Sequence, residues 1–233
     1  MNTTLSKRID TRTTVSGGIL RNAGSKLMTL LIVLLLLVEI YPLVWLFLSS
    51  IKAPVEFTMR PIYALPEGFH WQNYVRAWTV GRMSTYFKNS VLVTFPSLLL
   101  VIALGVSAAF GIEIMFFLAG ILIPVQIVLL PLFTIYYKIH LLNSRWGLIL
   151  IYTAFGFPLT VFFMTGYFKA LPHEVLEAAV IDGASIYQIF FRIALPMSIN
   201  SIITVALVEF FFIWNDLILS LTFISDMNLR TVQ

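Results

Sequence analysis

From Leu27 to Ser50 the chain is apolar throughout, with one charged side chain, Glu39. As a helix this run is about 36 Å long, enough to cross a hydrocarbon core of about 30 Å with some tilt. The next apolar stretch, Ser90 to Tyr137, would be about 70 Å long as one helix, more than twice that thickness, and so reads as two passes. Trp146 to Phe168 makes a fourth span, and Met197 to Leu221 a fifth. Such runs constrain the fold to an all-α polytopic membrane protein. Composition agrees: 59% of residues are hydrophobic and 11% charged, where a soluble domain has about a quarter charged.

The same composition excludes several functions. There is no cysteine, so disulfides and thiolate metal sites are out. The net charge of +4 is small and spread among loops, which gives no nucleic-acid footprint. His140 has no His partner at metal-ligand spacing and reads as a solvated loop residue. No glycine is followed directly by lysine, so the chain has no phosphate-binding P-loop and does not hydrolyse ATP by that route. The many aromatic residues, 20 Phe, 9 Tyr and 5 Trp, suit lipid-facing surfaces and interfacial belts.

The connections carry most of the information. Residues 1–26 are polar and basic, and the apolar run after them is too long for a signal-peptide core, which predicts an uncleaved cytoplasmic arm ahead of a membrane domain over 27–233. Residues 52–88 hold Pro54, Pro61 and Pro66, which rule out one continuous helix, and are expected to lie along the outer membrane surface. Within 90–137 the turn is expected near Phe110-Gly111-Ile112-Glu113, where almost no polar connection exists. Either the turn is tight or residues are absent there, and absence is the favoured expectation.

One polar interruption, Pro172 to Pro196, is strongly punctuated. Pro172 suits the start of a helix, and Glu174 favours its positive end. Glu177, Ala178 and Ala179 continue the helix, and Gly183 stands where a left-handed terminating residue is wanted. Ser185 and Gln188 have capping-box spacing, predicting a second short helix through Arg192 to a brake at Pro196. A loop this structured should bind something.

The spacing Glu177-Ala178-Ala179, Gly183, Ile193, Leu195-Pro196 resembles the EAA signature of the membrane subunits of binding-protein-dependent ABC importers, at every signature position. The pieces Tyr41-Pro42-Leu43-Val44-Trp45, Leu65-Pro66, Asn73-Tyr74, Phe87-Lys88-Asn89-Ser90 and Trp214-Asn215-Asp216 look like landmarks of its maltose-type, carbohydrate-uptake branch. The resemblance implies a MetI-like helical bundle, five spans visible here and a sixth expected, with 172–196 as a cytoplasmic coupling loop that docks in a cleft of a separate ATPase. It also implies partners: a second homologous permease, two ATPase subunits that bind ATP and Mg, and an extracytoplasmic solute-binding protein. The cargo it implies is a sugar or oligosaccharide. No cofactor is expected in this chain.

Lys and Arg are nearly balanced between the two faces, so orientation rests on parity. Five spans put the amino terminus and the Glu177 loop together in the cytoplasm of a prokaryotic cell, under its inner membrane. Glu39, Glu209, Asn215 and Asp216 are the candidates for a substrate pathway, because polar groups inside spans are costly unless they face protein, water or solute. Glu39 fits helix packing equally well, and the Trp214-Asn215-Asp216 cluster fits a polar helix end. The alternative function is an ion-coupled carrier or channel titrating Glu39, Glu113 and Glu209, which leaves the capped loop unexplained. An intramembrane enzyme lacks its Ser/His pair, paired aspartates or metal motif.

Overall fold

A computed structural model describes residues 6–111 and 124–233, with side chains from residue 25 onward. Helix α1 (Ser6–Ser50) runs unbroken from the basic arm into the first apolar stretch. Glu39 lies exposed on it. Two short helices follow, α2 (Glu56–Met59) and α3 (Gln72–Thr79). The connection between them is held internally. The Glu56 carboxylate accepts the N–H groups of Ala53 (2.8 Å) and Glu67 (3.1 Å), and Lys52 donates to the Ile62 carbonyl (3.0 Å).

The remainder begins with α4 (Met83–Gly111), followed by α5 (Val125–Lys138) and α6 (Arg145–Lys169). After α6 come α7 (His173–Ile181), α8 (Ile186–Ile189), a π-helical turn over Phe190–Ala194, α9 (Leu195–Met197), α10 (Ile199–Trp214) and α11 (Ile218–Phe223). The chain divides into compact units Met1–Ala77 and Trp78–Gln233. Among the described residues, α1 from Ser25, α4 and α6 are long and apolar enough to cross a membrane, and α10 reaches that length only together with the Ile186–Met197 run before it, from which it is bent by 74°. The predicted turn at 110–113 is reached only at its start, since α4 ends at Gly111 and Glu113 lies outside the described residues.

The second unit is built on α4, α6 and α10. The first turns of α4 and α6 meet where Arg145 donates to the Asn89 side-chain oxygen. Their last turns meet through Phe110 and Phe168, ring centroids 5.4 Å apart. The two helices therefore run parallel, with α10 packed on both. Val101, Leu148, Ile151, Val161, Met164 and Val205 are buried in this region.

Two local expectations are corrected. The predicted fifth span, Met197 to Leu221, is a helix only to Trp214. The Asp216 carboxylate then accepts the N–H groups of Leu219 (3.0 Å) and Ser220 (3.2 Å), which satisfies the orphan donors of a new helix and starts α11 there. Pro196 is likewise not the brake. The helix passes through it to Met197 and breaks at Ser198. The π turn ahead of Pro196, in which Leu195 N–H reaches the Phe190 carbonyl, already departs from the α-helical bonding that a proline would interrupt.

Candidate functional site

The 172–196 loop folds by its own chemistry. Helix α7 starts after Pro172 with Glu174 in its first turn, where a carboxylate favours the positive helix end. It ends in a Schellman motif: Gly183 N–H bonds the Val180 carbonyl (3.0 Å) and Ala184 N–H bonds the Ala179 carbonyl (2.9 Å). This closure needs a left-handed residue, and Gly183 has φ +76°. A Cβ at Gly183 would meet nothing within 4 Å, so the demand for glycine is conformational rather than steric. Ser185 and Gln188 then form the predicted capping box, with the Gln188 side chain accepting Ser185 N–H at 2.8 Å.

The loop is fixed to the spans by one ring. Phe190 is buried and packs against Phe110 at the end of α4 (5.0 Å) and Phe168 at the end of α6 (6.5 Å). Ala194 is fully buried beside it, and Leu195 packs against the same cluster. A displacement of the loop must therefore be felt by both span ends. Apolar side chains of the loop are uncovered: Ile181 is 85% exposed and Tyr187 73%. A recess of about 480 Å³ lies between the loop and the end of α4, lined by Leu176, Glu177, Val180, Ile181, Ile186 and Ile189 of the loop and by Phe110. The loop can thus offer a partner an apolar seat with one carboxylate on its wall.

Of the signature residues, Glu177, Ala178 and Pro196 are exposed, Ile193 and Leu195 are half-buried, and Ala179 is buried. The exposed members are free to touch a partner, while Ala179 and Gly183 shape the turn.

The candidate pathway residues fall in both units. Glu39 belongs to the first unit and Glu209 to the second. Glu209 is fully buried in the seam of α4, α6 and α10, where Oε1 accepts the Thr160 hydroxyl (3.2 Å). Its Oε2 has no hydrogen-bond partner among the described residues and sits above Gly156, where an added Cβ would come within 2.4 Å of it. Asp216 accepts the Tyr152 hydroxyl (2.9 Å) besides capping α11. Asn215 is exposed, and its amide nitrogen donates to the Phe211 carbonyl (2.9 Å). Two features escaped sequence reasoning: the Phe110, Phe168 and Phe190 cluster, and the tie between residues 224–233 and the first turns of α4 and α6. Both join residues far apart in sequence, and no local pattern marks them.

Apolar spans, two of them parallel, with a capped loop packed on their ends define a polytopic α-helical membrane protein. A family model described as "Binding-protein-dependent transport system inner membrane component" matches residues 115–233, and the chain belongs to that family. It is similar to the diacetylchitobiose uptake system permease protein NgcG of Streptomyces coelicolor, with 37% identity over 208 residues, 85% of this chain and 68% of that one. It is also similar to a probable starch degradation products transport system permease protein, AmyC of Thermoanaerobacterium thermosulfurigenes, with 32% identity over 216 residues, 88% of this chain and 78% of the relative. A crystal structure of a bacterial ABC transporter involved in import of the acidic polysaccharide alginate matches in fold, with TM-score 0.71 and 19% identity over 86% of this chain and 74% of that chain.

Proposed function

We propose that this chain is the transmembrane subunit of an ATP-driven sugar importer, forming half of the translocation pathway beside a second, homologous permease. Two ATPase subunits bind ATP and Mg, and an extracytoplasmic solute-binding protein delivers the cargo. The chain itself is not an enzyme. Its amino terminus and the 172–196 loop face the cytoplasm of a prokaryotic cell. The observation that carries this reading is the open apolar face of that loop, with Ile181 85% exposed and Glu177 lining the recess, on an element pinned to two spans by Phe190.

The geometry suits a lever. The Schellman closure and capping box make α7 and α8 one stiff bent unit, and the ring cluster links it to α4 and α6. When the ATPase pair closes, a loop seated in its cleft moves with it and shifts the spans between two arrangements, the two-state element that coupling requires. Glu177 is placed to meet a basic residue of the ATPase, a pair that fixes register more than it adds affinity. The names of the relatives, which include uptake of diacetylchitobiose and of starch degradation products, support a sugar as cargo.

The test is reconstitution of the full importer in vesicles with its solute-binding protein. Diacetylchitobiose or maltose, added with the binding protein, is expected to stimulate ATP hydrolysis and to enter the vesicles, and this chain alone is expected to hydrolyse nothing. Hydrolysis by the chain alone, or uptake without the ATPase, contradicts the proposal.

A further inference from the structure

The first turns of α4 and α6 border a recess of about 490 Å³. Leu92, Ile149 and Leu229 form its apolar part, and Asn143, Arg145 and Trp146 its polar rim. Two of the rim side chains are fixed by bonds that leave a donor unused. Arg145 directs Nε (3.1 Å) and Nη2 (2.9 Å) to the Asn89 side-chain oxygen, and its Nη1 has no partner among the described residues. The Asn143 side-chain oxygen accepts Ser225 N–H (2.7 Å) and Asp226 N–H (2.9 Å). Backbone N–H groups can only donate, so the amide cannot be turned the other way. Its Nδ2, like the Trp146 indole N–H, has no partner among the described residues.

The rim is therefore rich in donors. The Asn143 oxygen is already taken, and Arg145 is the one charged residue among the described residues that line the recess. An oxyanion, with lone pairs for several donors and a charge opposite to the guanidinium, answers such a rim. Below the rim the surface turns apolar. Leu92 and Leu99, both exposed, are seven residues apart and share one face of α4, so an apolar track runs on for about 10 Å. A free inorganic anion would satisfy the rim alone. The track beside it fits a ligand that also carries an acyl chain. Since Arg145 begins α6 and Lys169 ends it, the recess lies at the end of that span opposite the 172–196 loop, where headgroups rather than hydrocarbon meet the protein.

We propose that this recess binds the phosphate of an anionic phospholipid, with an acyl chain laid along Leu92 and Leu99. In the orientation proposed above the lipid belongs to the outer leaflet, and only that placement rests on the importer reading. Lipid tails meet the apolar flank of any span. What the rim adds is a choice of headgroup. An ethanolamine headgroup would bring its ammonium beside the Arg145 guanidinium, with the Asn143 oxygen already occupied. A glycerol headgroup brings no such repulsion, so the site selects phosphatidylglycerol over phosphatidylethanolamine.

The native complex that contains this chain, purified in detergent, is titrated with an equimolar mixture of phosphatidylglycerol and phosphatidylethanolamine, and the bound lipid is read by native mass spectrometry. Phosphatidylglycerol is expected to be retained over phosphatidylethanolamine by roughly tenfold or more, the effect of one charge-assisted hydrogen bond. Arg145→Gln removes the guanidinium, and Leu92→Asp places a carboxylate in the recess while leaving every bond of the rim in place. Each is expected to abolish the preference. Lys88→Gln removes an exposed cation that does not line the recess, and is expected to keep it. If Arg145→Gln fails to assemble, Leu92→Asp decides alone. Equal retention of the two lipids, a preference that survives Leu92→Asp, or one lost as fully in Lys88→Gln overturns the proposal. So does the absence of retained lipid, the result expected if an acidic side chain of a partner subunit fills the rim, and so does displacement of the lipid by inorganic phosphate, which would make the recess a site for a free anion. The readout is lipid mass rather than transport or hydrolysis, so failure of the importer reading would leave this result standing, and failure here would leave the importer reading intact.

Discussion

The 172–196 loop follows the span α6 and the 224–233 segment follows the short helix α11, yet the two are held by opposite means. The loop is shaped by bonds within itself, the Schellman closure at Gly183 and the Ser185 capping box, and touches the spans chiefly through Phe190. The later segment has almost no shape of its own and is strapped down by side chains from elsewhere. Asn89 donates to the carbonyls of Asn228 (2.8 Å) and Arg230 (2.9 Å). The Asn143 side-chain oxygen accepts Ser225 N–H (2.7 Å) and Asp226 N–H (2.9 Å), and Ser90 accepts Val232 N–H (2.9 Å). A segment that keeps its own shape can give its surface to a partner. One whose polar groups are already bonded inward cannot.

The largest effect is expected where the loop meets its partner. Ile181→Glu together with Tyr187→Glu puts charge on an apolar seat without touching a buried group. It should weaken ATPase binding by about 2 kcal/mol or more, roughly thirtyfold, as at a binding hot spot, while the chain still inserts in the membrane. Co-purification of the ATPase reads this directly. Unchanged co-purification would make the loop as closed to partners as the strap.

The strap should fail differently. Asn89→Leu leaves the Arg145 guanidinium and two backbone carbonyls without their bonds, a loss of about 2–4 kcal/mol. Faster amide exchange over residues 228–232 and a lower thermal midpoint are expected, with ATPase co-purification unchanged. Loss of the ATPase in this variant would erase the division between the two regions.

Between them lies the seam that ties α10 to α4 and α6. Gly156→Ala drives a methyl to within 2.4 Å of the Glu209 carboxyl and 2.9 Å of Val101, an overpacking cost of about 1–3 kcal/mol. Adding Glu209→Ala should return part of it, since the two sites are in contact and not additive. An unchanged thermal midpoint in Gly156→Ala would remove the seam from the account.

The smallest effect concerns the connection after α1, another segment bonded inward. The Ala53 N–H holds the Glu56 carboxyl below its ordinary value of 4.5 against the opposing effect of burial, helped by Glu67 N–H, His70 and Arg60. A depressed folded value means the contribution is present above the ordinary carboxylate range and is lost as pH falls through the lowered value. Amide exchange at Ala53 and Glu67, corrected for its intrinsic pH dependence, should therefore rise only at acid pH, and Glu56→Gln should raise it already at neutral pH. Equal protection at pH 7 and pH 3 would contradict this.

How much was legible in the sequence follows the same division. Proline, glycine and capping residues act on their own backbone, so the helix start after Pro172, the turn at Gly183 and the Ser185 cap were readable. Of the apolar runs, those at 27–50, at the start of 90–137 and at 146–168 coincide with helices long enough to cross a membrane. What stayed hidden depends on side chains meeting across the fold. The bonds of Asp216, a candidate pathway residue, to Tyr152 and to the two N–H groups that start α11 have no mark in the sequence around it. Glu209, which looked the same in sequence, is enclosed between three helices. Pro196 looked like a brake because the π turn before it leaves no local signature.

In the proposed lever, a stiff loop bent at Gly183 transmits ATPase closure to the spans. This transmission is tested most directly by solute-stimulated ATP hydrolysis of importers assembled in vesicles with Gly183→Val or Gly183→Asn. Asparagine tolerates the left-handed region and valine does not, while neither side chain meets a clash at its Cβ. Gly183→Val is expected to insert normally but to lose stimulated hydrolysis and uptake, and Gly183→Asn to keep most of both. Full stimulation in the Gly183→Val importer would contradict it.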